Sequence, residues 1–142
     1  VYEAERLCTG SIQPVPVVSL RPQEGGLLGW HWLAQVSGAP SERLVSPDVL
    51  TSLLSALPDA LGLRAVAAPT VRPVEGGLAG MVLLAESHAA VHTSVAEGAA
   101  FVDVFSCRRH LDAQLAEAVV REHLHAGEVR GRLVRRGPEG MG

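Results

Sequence analysis

Ser87, His92 and Cys107 fall within one stretch of the chain, Glu86-Ser87-His88-Ala89-Ala90-Val91-His92-Thr93 followed by Val102-Asp103-Val104-Phe105-Ser106-Cys107. A serine hydroxyl can attack a carbonyl, an imidazole can move a proton at neutral pH, and a thiol can attack or hold a proton. Taken singly, each has a plainer reading: serine and histidine meet by chance in most chains, and a lone cysteine is most often a small buried hydrophobe. The joint occurrence over residues 86–107 is what points to an enzyme. His88 and His92 are four apart, a spacing that would suit a metal on a helix. The apolar runs before and after them read as strands, so no metal is expected.

These groups need a rigid frame, and the pattern along the chain supplies one. Residues 1–25 carry Pro14, Pro16, Pro22 and a Gly25-Gly26 pair, which exclude a long helix and read as an extended arm. Residues 26–142 read as a single domain. Within it, 27–36 (LLGWHWLAQV) suits a strand with Trp30 and Trp32 on one face. Val49, Leu50, Leu53, Leu54 and Leu57 have helical spacing behind a Ser46-Pro47 cap. Residues 64–74 read as an edge strand, and 78–85 and 98–107 as buried strands on either side of the histidines. Leu111, Leu115, Ala118, Val119 and His123 give a second helix, closed by Gly127, before a last strand at 129–134. The expectation is an α+β fold, a two-layer α/β sandwich whose antiparallel four-stranded sheet is covered on one face by two helices.

Composition narrows the function classes. The chain has 142 residues, 47% hydrophobic and 19% charged, with a net charge of −3. That suits one globular domain with a real core and argues against a nucleic-acid partner. The only local basic cluster, Arg130, Arg132, Arg135 and Arg136, has no aromatic residues interleaved and reads as a solvated strand and tail. No apolar run is long enough to span a membrane. The first residues lack the basic start and apolar stretch of a signal peptide, and two cysteines, Cys8 and Cys107, do not demand a disulfide; a reducing cytoplasm is expected.

Read as a whole, ESHAAVHTSVAEGAAFVDVFSC resembles the self-processing segment of the prokaryotic S-adenosylmethionine decarboxylases. The resemblance implies a proenzyme cut between Glu86 and Ser87 into residues 1–86 and 87–142, with Ser87 becoming a covalently bound pyruvoyl group. It implies that the Ser87 hydroxyl attacks the Glu86 carbonyl to give an ester. His92, brought near Ser87 if the turn folds back, is the expected base for the elimination that follows, and Cys107 the expected proton donor in the second reaction. That reaction is loss of carbon dioxide from an amino-acid-type small molecule joined to the ketone as a Schiff base. A homodimer of processed protomers and a place in polyamine synthesis are implied as well.

The chain departs from the family pattern at several positions. Ser94, Val95 and Ala96 stand where relatives have Trp-Pro-Glu, Pro73 stands where they tend to have an aromatic residue, and Ala79 replaces a serine whose hydroxyl assists processing. Glu97 and Trp32 are the expected substrate contacts in their place, with Trp30 and Phe101 as further aromatic candidates. S-adenosyl-L-methionine is the substrate the family implies; L-ornithine or L-arginine is the alternative if the adenosine-reading residues are lost. An unprocessed homologue serving as a regulatory subunit is the alternative without catalysis.

Overall fold

The structure is a computed structural model that describes residues 26, 28–107 and 110–142. The expected arm at 1–25, and with it Cys8, lies outside the described residues. The first strand, β1 (Gly29–Ser37), is followed by a one-turn helix α1 (Ser41–Leu44) and by α2 (Pro47–Ala60). Four strands come next: β2 (Thr70–Val74), β3 (Gly77–Leu84), β4 (Ser87–Ser94) and β5 (Ala99–Cys107). Helix α3 (Ala113–Leu124), β6 (Glu128–Gly137) and a short β7 (Gly140–Met141) complete the chain.

The α+β class stands, but the sheet has seven strands rather than four, in the order β2-β3-β4-β5-β1-β6-β7, every neighbouring pair antiparallel. Three helices, not two, accompany it. Sequence reading missed two strands, the short terminal β7 and, more consequentially, β4. Its buried face is Ala89, Val91 and Thr93 and its other face is His88, Ala90 and His92, so small and polar residues on both sides blur the period-2 signal. This missed strand is the one that begins with Ser87.

Helix α2 starts where the cap residues require. The Ser46 hydroxyl accepts from the Val49 N–H (3.3 Å), Pro47 opens the first turn, and Leu50, Leu53, Leu54 and Leu57 are buried on one face. Helix α3 is capped by Asp112, whose carboxylate accepts from the Leu115 N–H (3.0 Å). It ends at His125, in the left-handed region with φ 48°, and not at Gly127, which donates instead to Ser37 O and Gly38 O. Both helices lie on one face of the sheet, over Trp32, Val36, Val82, Val91, Val102 and Val104. Among the described residues no helix is long and apolar enough to cross a membrane.

Thr93 ties the layers together. Its buried hydroxyl accepts from the Leu78 N–H (2.9 Å) and donates to Leu44 O (3.0 Å), joining β3, β4 and α1. Gly77 allows the close approach, because a Cβ there would lie 2.3 Å from Thr93 O. Thr93→Val keeps the shape but strands both main-chain partners, and is expected to lower unfolding free energy by about 1–3 kcal/mol in a denaturant titration.

Among the described residues, no helix lies on the opposite face of the sheet. Leu33, Met81, Leu83 and Phe101 are exposed there at 43%, 46%, 53% and 49%, among His31, His88, His92 and Asp103. An antiparallel sheet with a solvated face normally makes that face polar, whereas this one sets large exposed apolar side chains among its titratable groups.

Candidate active site

Strands β3 and β4 are joined by a two-residue turn, Ala85-Glu86, with Leu84 paired to Ser87. Glu86 has φ 62°, a left-handed conformation that costs an L-residue with a Cβ about 1–2 kcal/mol. Its carbonyl oxygen accepts a long hydrogen bond from the Cys107 N–H (3.4 Å). The Glu86–Ser87 peptide therefore sits at the end of the sheet in a strained turn, with its carbonyl oxygen turned toward β5.

Strand alternation sends the Ser87 side chain to the helix-covered face, in the cross-strand row Leu84, Ser87, Ser106, Trp30, Arg135. Cross-strand neighbours have Cβ atoms about 4.5–5.5 Å apart, so the Ser106 hydroxyl is beside that of Ser87. Ser106 Oγ is buried and has no hydrogen-bond partner among the described residues. Leaving a hydroxyl unpaired costs about 1–3 kcal/mol, so its partner is sought in the chemistry of its neighbour. Trp30, next in the row, is half-buried, edge-on to His110 (centroids 4.8 Å) and under the Arg135 guanidinium (5.7 Å).

Cys107 points to the open face, where a cavity of about 420 Å³ is lined by Leu28, His31, His88, Phe105, Arg136 and Gly137. His88 and His31 flank Phe105 on the strands to either side of β5, and both reach Asp103 Oδ2, at 3.2 and 2.9 Å. Arg136 donates to His31 Nδ1 (2.9 Å). Arginine has only donors, so Nδ1 must be the acceptor and Nε2 must carry the proton given to Asp103. The ligand atoms of His31, His88 and Asp103 lie within 4.8 Å of one another, a spacing open to a metal, but that donor order makes them a hydrogen-bond chain. A larger cavity, about 770 Å³, lies over the rest of the open face and includes Leu33, Met81, His92, Phe101 and Asp103.

The structure thus brings Glu86, Ser87 and Cys107 together. His92 does not join them within one protomer: it lies five residues along the same strand, about 16 Å at 3.3 Å per residue, and on the opposite face from Ser87. The expected fold-back of the turn is overturned because residues 87–94 form one continuous strand. Glu97 is in the β4–β5 turn at the far end of the sheet, where its carboxylate accepts from Ser94 Oγ. Trp32 is fully buried with its Nε1 against Gly131, where a Cβ would lie 2.5 Å away, so it is a core residue and not a substrate surface. Sequence reading missed His31, His88, Asp103 and Ser106 as site members and placed Arg136 on a solvated strand and tail. Their signal is the strand register, which brings residues far apart in sequence onto one face.

The fold is that of a solved decarboxylase: it matches the crystal structure of the adenosylmethionine decarboxylase from Aquifex aeolicus VF5 with a TM-score of 0.68 and 25% identity, over 79% of this chain and 92% of that one. Residues 30–137 match the family described as S-adenosylmethionine decarboxylase. The S-adenosylmethionine decarboxylase proenzyme of Caldicellulosiruptor saccharolyticus is 33% identical over 112 residues, 78% of this chain and 89% of that protein. The proenzyme of the same name from Clostridium kluyveri is 32% identical over 78% of this chain and 87% of its own length. The chain belongs to the S-adenosylmethionine decarboxylase family.

Proposed function

We propose that this chain is a self-processing, pyruvoyl-dependent decarboxylase acting on S-adenosyl-L-methionine in polyamine synthesis. The observation that carries it is the Glu86–Ser87 turn, with the carbonyl of a left-handed Glu86 facing the Cys107 N–H and, beside the serine, a hydroxyl without a partner among the described residues. These residues fit a serine-derived pyruvoyl group at position 87. Ser87 Oγ adds to the Glu86 carbonyl carbon; the carbon–nitrogen bond breaks, an ester forms, and the Ser87 nitrogen becomes an amine. The Cys107 N–H stabilises charge developing on the Glu86 oxygen, and departure from φ 62° relieves strain as the bond opens. Ser106 Oγ is placed to accept a hydrogen bond from the attacking hydroxyl. Loss of the Ser87 α-proton to a base then expels the Glu86 carboxylate, and water enters as ammonia leaves.

Once formed, the pyruvoyl ketone supplies an electrophile for the substrate amine and a sink for the electrons released with carbon dioxide. Cys107, beside it on the open-face side, holds the proton that the substrate carbon needs.

His92 is too distant to be the base in its own protomer. The apolar open face offers the route: a second copy docked face to face, with its two-fold axis running across the strands, interchanges the two ends of the sheet. The partner's His92 then approaches the Glu86–Ser87 turn. Phe101, the cross-strand neighbour of His92 and half-exposed, comes with it and supplies an aromatic face for adenine in place of the buried Trp32.

Carbon dioxide release tests the substrate. S-adenosylmethionine is expected to give the highest kcat/KM, with ornithine and arginine far below it; the reverse order would sink the assignment. Cys107→Ala is expected to process, because only its main-chain N–H serves cleavage, and to lose about 10²- to 10⁴-fold in turnover. Full turnover in that variant would remove the thiol from the reaction.

A further inference from the structure

Cleavage before Ser87 would turn the first residue of β4 into a chain end. The turn to β3 is cut, and the nitrogen of residue 87 leaves as ammonia, so the ladder loses that N–H donor. Strand ends held only by their ladders open at small free-energy cost. Yet the group that reacts with substrate sits at this very end.

The next residue is anchored. His88 Nε2 lies 3.2 Å from Asp103 Oδ2, the same oxygen takes the His31 Nε2 proton (2.9 Å), and Arg136 fixes the His31 ring by donating to Nδ1 (2.9 Å). The chain of bonds crosses β6, β1, β5 and β4. His31 lies before the cleavage point and His88, Asp103 and Arg136 after it, so the two fragments are joined through Asp103. None of the four side chains belongs to the turn that breaks.

We infer that the Arg136–His31–Asp103–His88 chain is a clamp that positions the residue-87 end after cleavage, with His88 and Asp103 as positioning residues. This rests on the proposed self-processing reaction. Its role is to keep the ketone in reacting geometry, where a shift of about 1 Å can cost on the order of 100-fold in rate. The Phe105 ring between the two histidines, at 5.8 and 5.6 Å from theirs, keeps both side chains in register with Asp103.

The test uses processed full-length Asp103→Ala, Asp103→Asn and His88→Ala. In each, the cleaved fraction is checked by intact mass. Phenylhydrazine trapping of the ketone, read as a mass adduct on the 87–142 fragment, reports how far the end has come loose. Asp103→Ala and His88→Ala are expected to cleave, to lose about 10- to 100-fold in kcat with little change in KM, and to be trapped several-fold faster. Asp103→Asn keeps an oxygen acceptor and is expected to recover most of both. Unchanged kcat and trapping rate beside a lowered melting temperature would reduce the network to a structural brace. A raised KM at unchanged kcat would make it a substrate contact instead, and either result overturns the clamp. Should Asp103→Ala not fold, His88→Ala decides alone, because it removes only the last link. Wild-type protein that never cleaves would overturn the processing reaction itself, an outcome distinct from failure of the clamp.

Discussion

Ser87→Ala protein is expected to stay a single chain of 142 residues, whereas the wild type is expected to separate on a denaturing gel into residues 1–86 and 87–142, the second blocked at its start by a ketone. The effect is expected to be complete, because the variant keeps the fold but has no oxygen to attack the Glu86 carbonyl. No other group takes its place: Ser106 Oγ lies across a strand and is not on the residue whose peptide bond must break. Cleavage of Ser87→Ala at the same bond would rule out the acyl shift. A smaller change asks whether the turn itself drives the step. Glu86→Gly removes the cost of φ 62°, about 1–2 kcal/mol, and is expected to slow cleavage by about 5- to 30-fold if that strain is released in the transition state. An unchanged rate would show the left-handed turn to be incidental to cleavage.

How far the site could be read from sequence depends on which geometry each residue needed. Ser87 and Cys107 are twenty residues apart, yet both lie at the same end of the sheet. The motif carried that much, because a hairpin between apolar runs brings the start of one strand beside the end of the next. His92 was misplaced for the same reason that β4 was missed. In a run of Ala, His, Ser and Thr with a single Val, neither face announces itself, so nothing said that five residues would be travelled in a straight line. Trp30 and Trp32 are two apart and share the helix-covered face, as alternation required. Alternation is silent on which of them sits at the end of the sheet and which lies under the helices. Helix α2 was legible to within a few residues because its cap and its leucine spacing agree. The histidine–aspartate network was illegible, since His31, His88, Asp103 and Arg136 meet only through the pairing of four strands.

The position of His92 leads to the last expected result. If the base comes from a second copy, two inactive chains should repair each other. Ser87→Ala lacks the nucleophile and His92→Ala lacks the base, so alone the first stays intact and the second stops at the ester. In a mixed dimer the Ser87→Ala chain still carries His92 and presents it to the Ser87 of its partner. Coexpressed in equal amounts with distinct tags and randomly paired, about half of the His92→Ala chains should acquire the ketone, read by mass on the tagged fragment. None of the Ser87→Ala chains should. A base acting within its own protomer gives no rescue in any mixture, and that result would send the elimination step back to a single chain. The rescue should also disappear when Leu33 and Met81 on both chains are changed to glutamate. Burying two carboxylates in the apolar face opposes docking, while the helix-covered core that folds each protomer is untouched. Persistence of rescue in that background would mean that the two copies meet through some other surface, and the open face would lose its assignment.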